Sequence, residues 1–225
     1  MNKKKLIRKI ALIIAIVWGI KFILSTTGIF RVVKSATIAN LPNIKLNQYD
    51  FTTSIIKPKR GDFMLYKRND SIFGEMECIH RVCGVEGDLI EIKSGILFVN
   101  DKPFNENLNL SYSYSVSKKI LEELSYNMSD EELSLVERVN DSITIVYIEN
   151  KLAKKHNLKR NITDKFKVNY NVQKSYNKKW NLDNLGPIKV PSGKYFVLGD
   201  NRNYTIDSRT EGFVNKNNFI GTIIK

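Results

Sequence analysis

The chain has 225 residues, a hydrophobic fraction of 42% and a formal net charge of +13 at pH 7. This length allows one or two domains with a proper core. Outside the N-terminus the positive charge is scattered, and no lysine or arginine face with interleaved aromatic residues stands out, so the composition argues against a nucleic-acid partner.

The N-terminus has the pattern of a membrane anchor. A basic cluster in residues 1–9 precedes an apolar stretch from Ile10 to Phe30 that only Lys21 interrupts with a charge. Its length is about enough to cross a bilayer as a helix, with the basic cluster in the cytoplasm and the remaining chain on the other side. A cleaved signal peptide is the alternative, but Leu24-Ser25-Thr26 is a poor small-x-small cleavage site. We predict an uncleaved, single-pass anchor over residues 10–30.

Short strand patterns separated by turn residues follow the anchor and return near the C-terminus. Turns are indicated by Pro58-Lys59-Arg60-Gly61-Asp62, by Glu86-Gly87-Asp88 and by Ser94-Gly95. The fold class that we predict is mainly β, with a sheet core formed by residues 31–103 and 179–225. Residues 31–37 are predicted to form a strand followed by a turn, and further strands are predicted over residues 47–56, 63–66, 77–85, 89–93, 96–100 and 194–198.

The composition shifts between residues 104 and 178, where we predict an α+β insertion in the β core. Helical patterns cover 118–126 and 149–156, and a β-rich run covers 143–148. Ser129 and Glu132 form a capping box, which predicts a further helix through about Val139. The tail, Lys151 to Lys179, is basic and rich in asparagine, which is typical of a solvated linker.

Three separated segments carry the residues that hydrolysis without a cofactor would need: a nucleophile, a base and a group that orients the base. Ser35 follows an extended segment, His80 lies on the predicted strand 77–85, and the polar loop after Leu198 supplies carboxylates. A single serine or histidine is more often structural than catalytic. Cys78 and Cys83 with one nearby histidine make a poor zinc set, so no metal site is predicted.

Three sequence motifs occur in a fixed order. Arg60-Gly61-Asp62-Phe63-Met64 comes first, the stretch from His80-Arg81 to Gly87-Asp88 comes second, and Gly199-Asp200-Asn201-Arg202 followed by Asp207-Ser208-Arg209 comes third. They resemble the R-G-D-hydrophobic, K-R-x-x-G-x-x-G-D and GDNR-x-x-S-x-DSR motifs of the type I signal peptidases. The resemblance covers Leu6 to Lys102 and Trp180 to Lys225.

The resemblance implies a signal-peptidase-like β-sheet fold and a membrane-anchored serine endopeptidase without a cofactor. Its partners would be the lipid bilayer and exported preproteins, which are cut after small residues at the first and third positions before the scissile bond. The family nucleophile corresponds to Ser35. The family lysine base corresponds to His80, which implies a Ser–His pair similar to that of the endoplasmic-reticulum and archaeal branch.

The nucleophile motif departs from the family pattern. The family has S-M-x-P-T, whereas Ser35 is followed by Ala36-Thr37-Ile38-Ala39. Val33 stands where the family has a small or hydroxyl residue in the oxyanion hole, so we expect backbone N–H groups, chiefly that of Ser35, to bind the oxyanion. This departure leaves open a catalytically inactive relative that binds exported segments.

The remaining roles also come from the resemblance. Thr205 corresponds to the family serine whose hydroxyl binds the base. Asp207 would orient His80 or pair with Arg81 or Arg209, which makes Thr205, Asp207 and Arg81 the residues expected to support the catalytic pair. Structural roles are implied for the other motif residues: Asp88, Gly199, Asp200, Asn201, Arg202, Ser208 and Arg209.

Overall fold

The computed structural model describes residues 3–70, 74–104 and 108–224. The helices are α1 (Lys3–Thr27), α2 (Lys118–Ser125), α3 (Asp130–Leu133), α4 (Asn150–Lys155), α5 (Tyr170–Tyr176) and α6 (Ser208–Glu211). The strands are β1 (Phe30–Lys34), β2 (Tyr49–Thr53), β3 (Phe63–Asp70), β4 (Gly74–Val85), β5 (Leu89–Lys93), β6 (Ile96–Val99), β7 (Lys102–Pro103), β8 (Ser111–Val116), β9 (Glu137–Arg138), β10 (Thr144–Glu149), β11 (Leu185–Lys189), β12 (Lys194–Leu198), β13 (Val214–Asn215) and β14 (Phe219–Ile224).

The strands form three antiparallel sheets. The largest has the order β1-β2-β14-β3-β4-β12-β13, and the second has the order β11-β5-β6-β7. The third sheet, β8-β10-β9, lies within residues 104–178. The prediction of a mainly β fold is confirmed.

The central strands of the large sheet are buried on both faces. On β3 the continuous apolar run 63–66 is buried because Met64 and Tyr66 pack on one face while Phe63 packs on the other. The main core cluster contains Cys83 and Phe196 from the large sheet and Ile90 from the second sheet. A further cluster, with Met64 and Tyr66 of β3 and Val82 of β4, packs these two strands together, and they carry much of the candidate site.

The N-terminal helix differs in its bounds from the predicted anchor. Helix α1 runs from Lys3 to Thr27, and Phe30 is already the first residue of β1, paired with Thr53. The prediction that Phe30 belongs to the anchor was therefore wrong, because Phe30 pairs with β2 in the sheet. Within the described ranges, no helix has the combined length and apolarity of a membrane span.

Residues 104–178 depart from the prediction in two places. The capping box of Ser129 is confirmed, but its helix ends at Leu133, because the next segment forms β9 and pairs with β10. The interpretation of 151–179 as a solvated linker is wrong. Helix α5 lies in that segment, and its Val172 is fully buried in the main core cluster.

Candidate active site

A groove of about 660 Å³ contains both the predicted nucleophile and the predicted base. It lies between the segment that follows β1, the middle of β4 and the loop that precedes Asp207. Its walls are mostly apolar. The lining residues are those at 33–40, 76–80 and 203–206, together with Leu65 and Arg68.

Ser35 is held by the backbone at the end of β1. Its N–H donates to the Gln48 carbonyl at 2.8 Å, and its own carbonyl accepts from the Asn47 N–H at 2.8 Å. Its hydroxyl donates to the Thr37 carbonyl at 3.1 Å, and the residue is only 3% exposed. The expectation that the Ser35 N–H binds an oxyanion is therefore wrong in this conformation, because Gln48 already accepts that donor.

His80 is buried on β4 with a partner on each ring nitrogen. Its Nδ1 lies 2.9 Å from the Tyr66 hydroxyl, and its Nε2 lies 3.1 Å from the Thr205 hydroxyl. Burial lowers the pKa of His80 from 6.5 to about 4, and the Asp207 carboxylate, which acts in the opposite direction, does not offset it. The imidazole is therefore neutral at pH 7 and able to accept a proton.

Ser35 and His80 share the groove without a hydrogen bond between them. In the part of the chain that the structure describes, the Ser35 hydroxyl is engaged with Thr37, and the His80 nitrogens contact Tyr66 and Thr205. Proton transfer from Ser35 to His80 therefore requires the serine side chain to rotate away from the Thr37 carbonyl.

Thr205 occupies the place expected from the resemblance, beside the histidine. The close approach depends on Gly199, because a Cβ at position 199 would lie 2.5 Å from the Thr205 hydroxyl oxygen and 2.6 Å from the Ala39 carbonyl oxygen. Ala39 also accepts the backbone N–H of Asn201 at 2.9 Å. A glycine at position 199 thus lets the segment after Ser35 pack directly against the Thr205 loop.

Asp207 pairs with Arg209 and does not hydrogen-bond His80. Its Oδ1 accepts from the Arg209 Nε at 2.9 Å, and its Oδ2 accepts from the Gly199 N–H at 3.2 Å. Burial alone would raise the pKa of Asp207, but the adjacent Arg209 guanidinium outweighs it and lowers the pKa. Of the alternatives left open by the sequence, the pairing with Arg209 is the one observed, and Asp207 acts on His80 only through its charge.

Arg81 does not support His80 directly, which corrects its expected role. Neighbouring residues on a strand point to opposite faces, and the Arg81 Nε donates to Asp200 Oδ1 at 2.8 Å on the other face. Its Nη1 donates to the Gly61 carbonyl at 2.6 Å, and its guanidinium lies 4.1 Å from the centre of the Phe63 ring. Arg81 thereby joins β4 to the loop that carries Asp200 and to the turn at Gly61.

The other motif residues stabilise turns and loops. Asp88 accepts the Val85 N–H at 2.9 Å, Ser208 accepts the Val197 N–H at 2.9 Å, and the Arg202 N–H donates to the Ser111 carbonyl at 2.9 Å. Both cysteines are free thiols. Within residues 3–70, 74–104 and 108–224, no group of three His, Cys, Asp or Glu side chains could hold a metal ion.

Sequence reasoning missed Tyr66 and Arg68, which lie on the same side of β3. Tyr66 contacts His80, and Arg68 lines the groove and donates from Nη1 to the Ile206 carbonyl at 3.2 Å. The two-residue period of the strand could have placed Met64, Tyr66 and Arg68 on one face. The register that pairs Met64 with His80, and so brings Tyr66 to the histidine, comes from the structure.

Comparison with known proteins supports the resemblance. Signal peptidase I of Buchnera aphidicola (subspecies Schizaphis graminum) is 32% identical over 177 residues, covering 75% of this chain and 53% of the relative. Signal peptidase I P of Bacillus subtilis subspecies natto is 29% identical, covering 72% and 56%. The chain thus spans about half the length of these curated relatives.

A solved signal peptidase I from Enterococcus faecalis V583 aligns with 22% identity and a TM-score of 0.37, covering 76% of this chain and 100% of that one. The family model described as signal peptidase, peptidase S26, matches residues 3–224. That match extends over nearly the whole chain. The predicted family is therefore confirmed, and the chain belongs to the peptidase S26 family of signal peptidases.

Proposed function

We propose that this chain is a membrane-bound serine endopeptidase that cleaves signal peptides from exported preproteins, with Ser35 as nucleophile and His80 as general base. The observation that carries the proposal is the groove that Ser35, His80 and Thr205 share, in which Nε2 of a neutral imidazole lies 3.1 Å from the Thr205 hydroxyl. The relatives named signal peptidase I support the same activity.

The proposed reaction proceeds by acyl transfer. Ser35 rotates away from Thr37, transfers its proton to Nε2 of His80 and attacks the scissile carbonyl. His80 then gives that proton to the leaving amine, and a water activated by the same nitrogen hydrolyses the acyl-enzyme. The N–H of Ala36, which meets no acceptor in the described part of the chain, is the adjacent candidate for binding the oxyanion.

The proposed location is the cell membrane, with residues 10–27 of α1 anchoring the chain and the β core on the extracytoplasmic side. Several large apolar side chains of α1 are exposed, Trp18 among them at 65%. Val32, Tyr49 and Phe51 on the neighbouring β1–β2 pair are also exposed. An exposed apolar surface of this kind is unusual for a soluble protein, and it supports contact with a lipid bilayer.

Topology can be tested by trypsin added to cells whose outer layer has been permeabilised. Cleavage is expected near Lys165 and Lys167, because the side chains there are exposed, including Phe166 at 82%. A cytoplasmic marker protein should stay intact in the same sample. Protection of residues 161–168 under these conditions would mean that the core lies on the cytoplasmic side.

The role of His80 predicts an unusual pH profile for cleavage by the full chain in lipid vesicles. The base must be neutral, and its pKa is about 4, so kcat/KM should stay constant from pH 7 to near pH 5 and fall as the pH drops through about 4. His80→Ala should lower kcat/KM by roughly 10²–10⁴-fold at pH 7.

Lys34→Ala and Lys67→Ala are the matched controls for a lysine base, because both residues lie on strands next to the groove. Lys67 is already paired with Glu75 at 2.8 Å. Both variants should cleave like the parent. An active His80→Ala protein beside an inert lysine variant would overturn the Ser–His assignment.

The alternative function is a catalytically inactive relative that binds exported segments. One specific observation favours it: the Ser35 hydroxyl donates to Thr37, although His80 lies in the same groove. In that case the parent, Ser35→Ala and His80→Ala proteins would bind a preprotein equally well, and none would cleave it at any pH.

A further inference from the structure

The Tyr66 hydroxyl is buried against the histidine ring. Tyr66 is 3% exposed, its ring centre lies 5.8 Å from that of His80, and its hydroxyl is 2.9 Å from Nδ1. Among the described residues, this hydroxyl has no other hydrogen-bond partner. Within the described part of the chain, Nδ1 of His80 is therefore the one acceptor available to the proton of the Tyr66 hydroxyl.

Proton accounting selects one direction for this bond. Burial raises the pKa of Tyr66 well above 10, so the hydroxyl keeps its proton at pH 7. If Nδ1 also carried a proton, one of the two buried donors would have no acceptor, and such an arrangement is disfavoured roughly 10- to 100-fold. In the favoured arrangement Tyr66 donates to an unprotonated Nδ1.

The other ring nitrogen must then carry the proton of the neutral imidazole. Nε2–H donates to the Thr205 hydroxyl, which is half-buried and borders the groove. A protonated Nε2 cannot accept a proton from Ser35, although Nε2 is the nitrogen that faces Thr205 and the groove side of the ring. The resting tautomer is thus the unreactive one.

We propose that Tyr66 is a positioning residue that sets the tautomer of His80, donating to Nδ1 in the resting site and accepting from Nδ1–H in the reacting one. This inference rests on the proposed function. The change between the two tautomers moves one proton from Nε2 to Nδ1 through water that enters when the Tyr66–Nδ1 contact opens, and it alters no net charge. A hydroxyl can make this bond in both states because it is both donor and acceptor. The reacting state is the less populated one because it leaves the hydroxyl's own proton without an acceptor among the described residues.

The tautomer can be read by nitrogen NMR of the full chain in lipid nanodiscs, labelled with ¹⁵N-histidine. The chain has two histidines, and His156→Asn removes the other set of signals. At pH 7 we expect the Nδ1 signal of His80 to be of the unprotonated, hydrogen-bonded type and the Nε2 signal to be of the protonated type. A protonated Nδ1 in the parent would overturn the proposal.

Tyr66→Phe removes the hydroxyl and tests its control of the tautomer. We expect the hydrogen-bond shift of Nδ1 to disappear and the ratio of Nδ1-protonated to Nε2-protonated His80 to rise roughly 10- to 100-fold, because no hydroxyl then donates to Nδ1. Tyr195→Phe is the matched control, since Tyr195 is buried in the same apolar cluster on β12. It should change neither the Nδ1 signal nor the tautomer ratio.

The two readouts separate this inference from the proposed function. The NMR signals need no cleavage, so an inert parent with an unprotonated Nδ1 would refute the peptidase function and retain the resting tautomer. A Tyr66→Phe protein with the same tautomer ratio at His80 as the parent would refute the positioning role. If Tyr66→Phe fails to fold, the protonation of Nδ1 in the parent decides the proposal.

Discussion

Replacing Ser35 with alanine is expected to abolish preprotein cleavage, with a loss in kcat on the order of 10⁶-fold, the scale seen when a serine nucleophile is removed. No acyl-enzyme can form without the hydroxyl, and His80 alone offers only a base. The alanine side chain also removes the bond to the Thr37 carbonyl, but the backbone bonds to Gln48 and Asn47 hold the segment in place. Cleavage is measured as the release of mature protein from a preprotein by the full chain in lipid vesicles.

Ser192→Ala serves as the control for Ser35→Ala. Ser192 lies in an exposed turn and donates to Glu86, outside the groove. The control should cleave at the parent rate. Full activity in Ser35→Ala would refute the assignment of the nucleophile, and Thr37, the next hydroxyl-bearing residue along the chain in the groove wall, would replace it.

Replacing Asp200 with asparagine is expected to lower the free energy of unfolding by about 3–5 kcal/mol, the usual cost of leaving one member of a buried ion pair without its partner. Asp200 is fully buried, and it binds the Arg81 guanidinium through both carboxylate oxygens. Burial alone would lower the pKa of Arg81, but Asp200 outweighs burial and raises it. Arg81 therefore stays charged and would lose its counter-ion. Denaturant unfolding in detergent gives the measurement.

Glu75→Gln is the matched control for Asp200→Asn, because it breaks an ion pair at the surface of the β3–β4 strand pair, which also carries Arg81. The Lys67 and Glu75 side chains are 50% and 64% exposed, so their pair should contribute less than about 1 kcal/mol. Equal losses in the two variants would contradict the structural role given to the Arg81–Asp200 pair.

The β core was predictable because its strands carry local signals. Apolar runs such as 63–66, together with the turn residues beside them, mark the strands even when the strands with which they pair are not known. The helix predicted through Val139 failed for a physical reason: a capping box specifies where a helix starts, and pairing with β10 decides where this one stops. The segment 151–179 was misinterpreted because many lysines surround its few core residues. Leu152 and Ala153 belong to the core cluster of the third sheet, and Val172 belongs to the main core cluster.

The candidate site was predictable as a set of residues and not as a set of contacts. The motifs bring Ser35, His80 and Thr205 to one groove, and their catalytic roles stay predictions. Which group pairs with Asp207, and which side chain reaches Nδ1 of His80, depends on strand register and loop packing. Those are long-range facts that residue types and spacing do not encode.

Gly199 shows that a residue can be indispensable without bearing a functional group. The Thr205 loop and the segment that contains Ala39 both pack against its Cα. Even an alanine side chain at position 199 would clash with Thr205 and with the Ala39 carbonyl. A saturation screen for cleavage would therefore rank position 199 with the nucleophile. Only a separate assay, such as reactivity of Ser35 toward a small acylating probe, would reveal that the chemistry had survived while its alignment had gone.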